Sequence, residues 1–277
     1  MPEAPLNDEL STPPMRTKKK PKKTRRVNTG VATNDLVHSA YTEANSAVFP
    51  HILALYIPKN SVVADVTYGK GVFWKKVNLK NYTVHFSDLK QGGLPRYVRG
   101  GVDARRLDYK DEFLDALVFD PPYMHTPGGT AHNGHQNFEA YYANNVEQDH
   151  EVVKQIWKET NGKPPKYHEA VLDLYFRAAK EAFRTLKPGG IYVVKCQDEV
   201  CTNRQRLTHV EITIELERLG FVVEDLFVVV RTTKPGVSRL LGQQFHARKN
   251  HSYFMVYRKG KLKAQSKKKA SRKKSKE

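Results

Sequence analysis

The chain has 277 residues, 39% of them hydrophobic, which suffices for one large domain with a buried core. No apolar run approaches the roughly 20 residues of a membrane-spanning helix, and the N-terminal segment lacks the apolar stretch of a secretory signal. The two cysteines, Cys196 and Cys201, are too few for a disulfide framework and form no Cys-x-x-Cys pair. We therefore expect a cytoplasmic, nucleoid-associated protein, or a nuclear one in a eukaryote, with no membrane partner and no structural metal.

The net charge of +18 is concentrated in two terminal segments. Residues 1–26 hold eight Lys or Arg against three acidic residues, and residues 259–277 hold ten against one. Such like-charged, apolar-poor composition predicts disordered basic tails at 1–33 and 259–277. Their expected partner is a nucleic acid, because each phosphate that is neutralised releases counterions. A solubilising or nuclear-import role explains the same composition.

Residues 34–258 alternate short apolar runs with helix-like stretches, the pattern of an α/β domain with a largely parallel sheet. Three helices are predicted, at 44–56, 170–186 and 208–219; Pro58 follows the first and Gly220 closes the last. Seven strands are predicted, at 61–65, 83–88, 116–120, 191–195, 221–223, 226–230 and 253–257. The fold class is therefore α/β, with a doubly wound, mostly parallel, seven-stranded sheet.

Residues 124–169 interrupt this alternation as an insertion that is unusually long for a connector. The segment is polar and carries several histidine and aromatic residues: His125, His132, His135, Phe138, Tyr141, Tyr142 and Tyr167. Long loops in compact domains tend to be functional or disordered. His132 and His135 have the spacing of metal ligands on a helix, but no carboxylate or thiolate stands at ligand spacing from them. We therefore predict contacts to bases or phosphates rather than a metal site.

The predicted strand at 61–65 ends in Asp65, and Gly69 and Gly71 follow it closely. In open α/β sheets, ligands bind at the carboxyl ends of the strands, and glycine lets a ligand approach the backbone. The third glycine of the dinucleotide fingerprint is absent, and a tight strand-to-helix turn explains the same pattern.

Two further acidic residues are candidates for binding a nucleoside. Asp88 ends the next predicted strand and could accept both hydroxyls of a ribose, although Asp is also favoured as a helix N-cap. Asp103, in the segment Gly101–Arg105, could accept an adenine amino group, but a surface-loop acid would have the same spacing.

Asp120-Pro121-Pro122-Tyr123 stands at the end of a predicted strand. Two prolines prevent the strand from continuing and remove two backbone donors, which leaves carbonyl groups free to point outward. Asp120 can accept a hydrogen bond from an exocyclic amino group, and Tyr123 can stack on a base. A rigid turn without chemistry is the simpler alternative, but the acids and glycines upstream favour a reactive site.

This tetrapeptide resembles the Asp/Asn/Ser-Pro-Pro-Tyr/Phe/Trp motif of the amino-methyltransferases that modify adenine or cytosine in DNA. The resemblance covers roughly residues 34–258 and includes four more segments in the expected order: His38–Pro50, Asp65-x-x-x-Gly69-x-Gly71, Leu186–Gly190 and Lys249–Tyr253. It implies a Rossmann-like class I methyltransferase fold with S-adenosyl-L-methionine as the cofactor.

The resemblance also implies which residues form the site. The implied catalytic residues are Asp120, Pro121, Pro122 and Tyr123. Binding of the cofactor is implied for Phe49, Asp65, Thr67, Gly69, Gly71, Asp88, Asp103 and Asp120. Asp at the first motif position favours adenine in this family, whereas Ser is more typical of cytosine modification. The implied reaction is direct methyl transfer to the amino group of a flipped-out adenine in DNA.

Three other functions are compatible with the sequence: amino-methylation of adenine or guanine in RNA, N4-methylation of cytosine in DNA, and non-catalytic nucleic-acid binding. Methylation of the cytosine ring is not expected, since it would need Pro-Cys where this chain has Pro121-Pro122, and Cys196 is not expected to be a nucleophile. No target-recognition domain remains once the core is counted. We therefore expect recognition to come from 124–169, from 231–248 or from a protein partner.

Overall fold

The computed structural model of the protein describes residues 36–124, 165, 167–232 and 243–260. Leu36 is the last residue of an N-terminal unit, and the elements below lie in the unit that begins at Val37. Most of the predicted insertion (125–164), including His125, His132 and His135, lies outside the described residues, as do 1–35 and 261–277 of the basic segments. None of the described helices is long and apolar enough to cross a membrane.

The main sheet of the described chain has eight strands. In chain order they are β1 (Ala40–Tyr41), β2 (Val62–Asp65), β3 (Thr83–Asp88), β4 (Val98–Gly100), β5 (Leu114–Phe119), β6 (Leu186–Cys196), β9 (Phe221–Val230) and β10 (His251–Lys259). Their order across the sheet is β1-β9-β10-β6-β5-β2-β3-β4. All neighbouring strands are parallel except β10, which runs antiparallel to both β6 and β9. A separate hairpin is formed by β7 (Glu199–Cys201) and β8 (Arg204–Arg206).

Three α-helices and two short 3₁₀ helices are described beside the sheet. The α-helices are α1 (Asn45–Tyr56), α2 (Tyr167–Thr185) and α3 (Thr208–Leu219), and the 3₁₀ helices are Val72–Lys76 and Leu79–Asn81. Helix α3 buries Thr208, Ile212 and Leu216 at a four-residue spacing, which places them on one face of the helix. It ends at Gly220, whose φ of 104° is readily adopted only by a residue without a side chain.

The sheet has a hydrophobic core on each face. Along β5, Leu117 and Phe119 pack in the core that contains α2 and α3, whereas Ala116 and Val118 pack in the core that contains α1. Successive side chains of a strand point to opposite faces, so a strand that is buried on both faces reads as a continuous apolar run. The predicted class, a doubly wound and mostly parallel Rossmann-like sheet, is therefore confirmed.

Three details of the prediction are wrong. The sheet has eight strands rather than seven, because β1 and β4 are two or three residues long and carry no apolar run. The two strands predicted between 221 and 230 form the single strand β9. Helix α2 begins at Tyr167, so the end of the predicted insertion, 124–169, is the first turn of this helix.

The expected start of the C-terminal tail at residue 259 is also wrong. Lys259 is the last residue of β10 and is only 4% exposed. Its Nζ donates a hydrogen bond to the carbonyl oxygen of Leu186 at 2.7 Å, lies 4.8 Å from the centre of the Phe183 ring and pairs with Glu112 at 3.5 Å. Its charge resembles that of the basic tract that follows it in sequence, but strand pairing with Phe221 places Lys259 inside the domain.

Replacing Lys259 by methionine should lower the free energy of unfolding by about 1–3 kcal/mol. Methionine keeps most of the apolar stem but leaves the buried Leu186 carbonyl without its donor, and an unsatisfied buried polar group costs this much. Chemical denaturation measures the change. Lys110→Met is the control, since Lys110 is exposed, and equal stability of the two variants would contradict the structural role of Lys259.

Candidate active site

Three acidic residues stand at the carboxyl ends of three neighbouring parallel strands. Asp65 is the last residue of β2, Asp88 is the last residue of β3, and Asp120 directly follows β5. Strand β2 pairs with β3 on one side and with β5 on the other. The chain passes from β2 to β3 and β4 on one side, then crosses to β5 on the other side and continues to β6. The connections that follow β2 and β5 therefore lead in opposite directions, and a crevice opens between these two strands.

A cavity of about 460 Å³ occupies this crevice, a volume within the usual range for small-molecule sites. The structure brings eight of the predicted site residues together in its wall: Asp65, Thr67, Gly69, Asp88, Asp120, Pro121, Pro122 and Tyr123.

Asp65 holds the loop that follows β2. Its carboxylate is 3% exposed and accepts hydrogen bonds from the backbone N–H of Thr67 at 3.0 Å and from Nε1 of Trp74 at 2.6 Å. Burial raises the pKa of Asp65 to about 7, and the two hydrogen bonds act in the opposite direction. Both oxygens are thus engaged with the protein, and Asp65 shapes the cavity wall by ordering residues 67–74.

Asp88 fixes the same loop from the neighbouring strand. One oxygen accepts from the backbone N–H of Gly69 at 2.8 Å and the other from that of Lys90 at 2.9 Å. Gly69 has a φ of 55° and Gly71 a φ of 62°, values at which a side chain is strained. A Cβ at Gly71 would also lie 2.4 Å from the hydroxyl of Tyr68. The two glycines therefore let the loop turn tightly enough for Gly69 to reach Asp88.

The tetrapeptide 120–123 forms the other wall of the cavity. The backbone N–H of Asp120 donates to Oγ1 of Thr67 at 2.6 Å, which ties the tetrapeptide to the β2 loop. The hydroxyl of Tyr123 donates to Oδ1 of Asp120 at 2.5 Å. Pro121 is buried, and Asp120, Pro122 and Tyr123 are half-buried. Among the described residues, no donor contacts Oδ2 of Asp120, so this oxygen is available to a ligand.

The electrostatics of Asp120 involve a buried lysine. Burial raises the pKa of Asp120 to about 6, while the Tyr123 hydrogen bond and the charges of Lys195 and Arg231 act to lower it. Lys195 is 1% exposed, donates to Oγ of Ser252 at 2.8 Å and lies 4.0 Å from the centre of the Phe254 ring. Burial lowers the pKa of Lys195 to about 8. Asp120 is therefore mostly ionised at neutral pH but close enough to its pKa to exchange a proton.

Three predicted site residues are absent from the wall of this cavity. Phe49 is fully buried one layer away and packs against Phe73 and Trp74. Gly71 acts through the turn described above. Asp103 lines a separate hollow of about 10 Å³ and forms a two-pronged ion pair with Arg105, with contacts of 2.6 to 3.1 Å.

Several residues of the wall were not among the predicted site residues. Lys70, Met124, Gln197 and Arg231 all line the cavity. Lys195 appears in the sequence only as a charged residue inside an apolar strand, but its charge acts to lower the pKa of Asp120. A charged residue in an apolar run such as Ile191–Cys196 is unusual, because buried lysines are rare unless they have a partner. Its position in the run is therefore the sequence feature that could have marked Lys195 as a candidate site residue.

The cavity wall fits S-adenosyl-L-methionine. This cofactor carries a sulfonium, an ammonium group, two ribose hydroxyls and a carboxylate. Each oxygen of Asp65 and Asp88 has one protein donor and can accept a second hydrogen bond, so these carboxylates, with Asp120, suit the positive and hydroxyl groups, and Lys70 suits the negative one. A tight glycine turn permits close approach of the ligand to the backbone.

The strand order, the crevice at β2 and its acidic wall define a class I, Rossmann-like methyltransferase that uses S-adenosyl-L-methionine. The family model for DNA methylases of the N6-adenine and N4-cytosine type matches residues 114–277, more than half of the chain. The chain belongs to this family.

Three of the solved structures to which the chain is similar are methyltransferases of low sequence identity. TrmN from Thermus thermophilus is 16% identical with a TM-score of 0.44, over 77% of this chain and 48% of that one. The 1,6-didemethyltoxoflavin-N1-methyltransferase of Burkholderia thailandensis is 14% identical with a TM-score of 0.43, over 78% and 77%. A methyltransferase of Methanosarcina mazei is 12% identical with a TM-score of 0.42, over 76% and 97%. The chain spans about half the length of TrmN, and it has no match among curated proteins.

Trp74→Phe should weaken binding of S-adenosylhomocysteine roughly tenfold and lower the free energy of unfolding by about 1–3 kcal/mol. The ring packing is largely kept, but the buried Asp65 carboxylate loses its Nε1 donor and the loop loosens. Calorimetric titration and denaturation measure the two effects. Tyr56→Phe is the control, since it removes a hydrogen bond to Asp225 outside the cavity wall, and an unchanged affinity in Trp74→Phe would refute the role given to Asp65.

Proposed function

We propose that this methyltransferase transfers a methyl group to the exocyclic amino nitrogen, N6, of adenine in DNA, with the target base flipped out of the helix. The observation that carries the proposal is the Asp120 carboxylate at the cofactor cavity. Tyr123 holds one of its oxygens, and no described donor contacts the other.

Asp120 supplies the acceptor that an amino group requires. A carboxylate oxygen can accept one N–H of the amine, and the backbone carbonyl of Asp120 or Pro121 can accept the other. The hydrogen bond from Asp120 N–H to Thr67 fixes the carboxylate relative to the cofactor loop. An amine held in this way presents its nitrogen lone pair toward the cavity, so positioning supplies much of the rate acceleration.

The target must leave the duplex to reach this site. Asp120 is half-buried at the end of a central strand, out of reach for a base that remains paired and stacked. Tyr123, half-buried beside Asp120, then packs against the face of the flipped base. Its hydroxyl donates to Asp120, so the position of the ring is fixed relative to the carboxylate.

The chemistry at the amine is direct transfer without a covalent intermediate on the protein. S-adenosyl-L-methionine, when bound, would supply the methyl group from its sulfonium: the S–CH3 bond breaks as the N–CH3 bond forms, and the neutral thioether S-adenosylhomocysteine is left. The attacking nitrogen gains a positive charge, which the ionised Asp120 stabilises. The nitrogen then loses a proton, and Oδ2 of Asp120 is the acceptor placed to receive it before it passes to water. Adenine is preferred over cytosine because the first motif position is Asp rather than Ser, as the family pattern implies.

Incubation with labelled S-adenosylmethionine and unmethylated DNA should yield N6-methyladenine, detected by nucleoside mass spectrometry. Total RNA is assayed in parallel. A methylated base found only in RNA, or N4-methylcytosine as the DNA product, would overturn the assignment of the substrate. No product on either nucleic acid, from protein that binds the cofactor, would overturn the proposed reaction.

The rate of transfer, as kcat/KM, should rise with pH through an apparent pKa of about 6, because the free enzyme is competent when Asp120 is ionised. Asp120→Asn keeps one acceptor oxygen, so it should retain reduced activity without this inflection. Asp120→Ala should lose roughly 100-fold or more, by comparison with the loss of one oxyanion-hole donor. Both variants should bind S-adenosylhomocysteine, and an inflection that persists in Asp120→Asn would assign the titration to another group.

A further inference from the structure

A second cavity, of about 440 Å³, adjoins the first at the same edge of the sheet. Met124, Gln197 and Arg231 line both cavities. The rest of the second cavity is formed by residues 198–200 and 203, in and beside the β7–β8 hairpin, and by residues 244–249, which precede β10. Because β10 runs antiparallel to β6, its first residues lie at the carboxyl edge where Asp120 lies. A chain that enters the first cavity can therefore continue directly into the second.

The second cavity presents cations that form no ion pair with a carboxylate. Arg231, Arg248 and Lys249 line it, and none of the three forms an ion pair in the described part of the chain, although the charge of Arg231 acts on Asp120. By contrast, Arg105 and Arg184 each pair with at least one carboxylate. The side chains of Arg231 and Arg248 are exposed. A guanidinium group with no acceptor within the protein can donate its hydrogen bonds to an external anion. Phosphate matches the planar, two-pronged arrangement of these donors.

The acidic residues of this cavity are engaged elsewhere. Asp198 is 5% exposed and contacts Nδ1 of His209 at 2.7 Å, while Glu199 is 6% exposed and contacts Nδ1 of His168 at 2.6 Å. Asp198 also accepts from the hydroxyl of Tyr253 at 3.2 Å. The carboxylates are thus buried and hydrogen-bonded, so the exposed charge in the cavity is positive.

An aromatic side chain stands beside these cations. Phe245 is 69% exposed and lines the cavity together with Met124 and Val200, which are 44% and 37% exposed. The segment that carries Phe245 is anchored at its end, because Gln197 Nε2 donates to the carbonyl of Lys249 at 3.1 Å. An exposed ring next to unpaired cations is the combination with which proteins bind single-stranded nucleic acid, since the ring stacks on a base and the cations bind phosphates.

We propose that the second cavity binds the nucleotide next to the target in the same DNA strand, with its phosphate at Arg248 and Lys249 and its base stacked on Phe245. This rests on the proposed function, in which the first cavity holds the target base. The structure thereby assigns to residues 244–249 the task of holding the strand from which the target is flipped.

The test uses the full chain with S-adenosylhomocysteine and a short single-stranded thymine tract that contains one adenine. Binding is followed by fluorescence anisotropy. Phe245→Ala should weaken binding roughly 5- to 150-fold, the range for the loss of one base stack, and Phe245→Trp should restore it. Arg248→Gln should reduce the slope of log affinity against log salt by about 0.7, the value for one phosphate contact on a single strand.

Arg218→Gln is the matched control, since Arg218 is an exposed arginine at the end of α3, at the opposite edge of the sheet. Its salt slope should equal that of the wild type. Unchanged affinity and slope in Phe245→Ala and Arg248→Gln would overturn the proposal. The same tract with an abasic site in place of adenine should show the same penalty for Phe245→Ala. Loss of the penalty would mean that the second cavity holds the target base itself, which also overturns the proposal.

These binding measurements require no methyl transfer, so they separate the two hypotheses. If the wild-type protein methylates adenine in DNA but the variants at Phe245 and Arg248 bind DNA like the wild type, only the role proposed for the second cavity is refuted. If the variants at Phe245 and Arg248 show the expected loss of binding but the wild-type protein produces no methylated base in DNA, the proposed function is refuted. Unchanged binding of S-adenosylhomocysteine by each variant establishes that the first cavity is intact.

Discussion

The reversal of strand order at β2 is the constraint on which the site depends. Strand β2 lies between β3 and β5; the connection from β2 leads to β3, and the connection from β5 leads to β6 in the opposite direction. Parallel pairing then forces Asp65, Asp88 and Asp120 to the same edge, although they are up to 55 positions apart in sequence. Burial of both faces of the sheet keeps these strands in register, because a slip of one residue would move every side chain into the core on the other face, where the close packing was formed around different side chains.

The three acids at this edge have different tasks, which their hydrogen bonds define. Both oxygens of Asp65 and both oxygens of Asp88 accept donors from the protein, and these bonds shape the cofactor loop. Asp120 has one oxygen held by Tyr123 and the other facing the cavity. Two structural carboxylates thus flank the one proposed to act on the substrate, and the loop that they hold sets its position through Thr67.

The antiparallel strand β10 extends the site beyond the cofactor cavity. It brings Ser252 to Lys195, whose charge acts on Asp120, and it brings residues 244–249 to the mouth of the crevice. The same strand ends at Lys259, which closes the opposite edge by its bond to Leu186. Strand β10 therefore contributes to the electrostatics of Asp120, to the proposed DNA-binding surface and to the stability of the domain.

The sequence by itself determined the fold class and the tetrapeptide that is the candidate reactive site, because both are read from local patterns. Apolar runs such as 116–119 and the break imposed by Pro121-Pro122 depend on neighbours in the chain, and so does the glycine turn after Asp65. The tertiary structure decided what each polar residue contacts. It placed Phe49 in the core, paired Asp103 with Arg105, made Lys259 part of a strand, and joined Arg231 and Phe245 to the edge that carries Asp120. These outcomes depend on strand order and on hydrogen bonds between segments far apart in sequence, which no local pattern records.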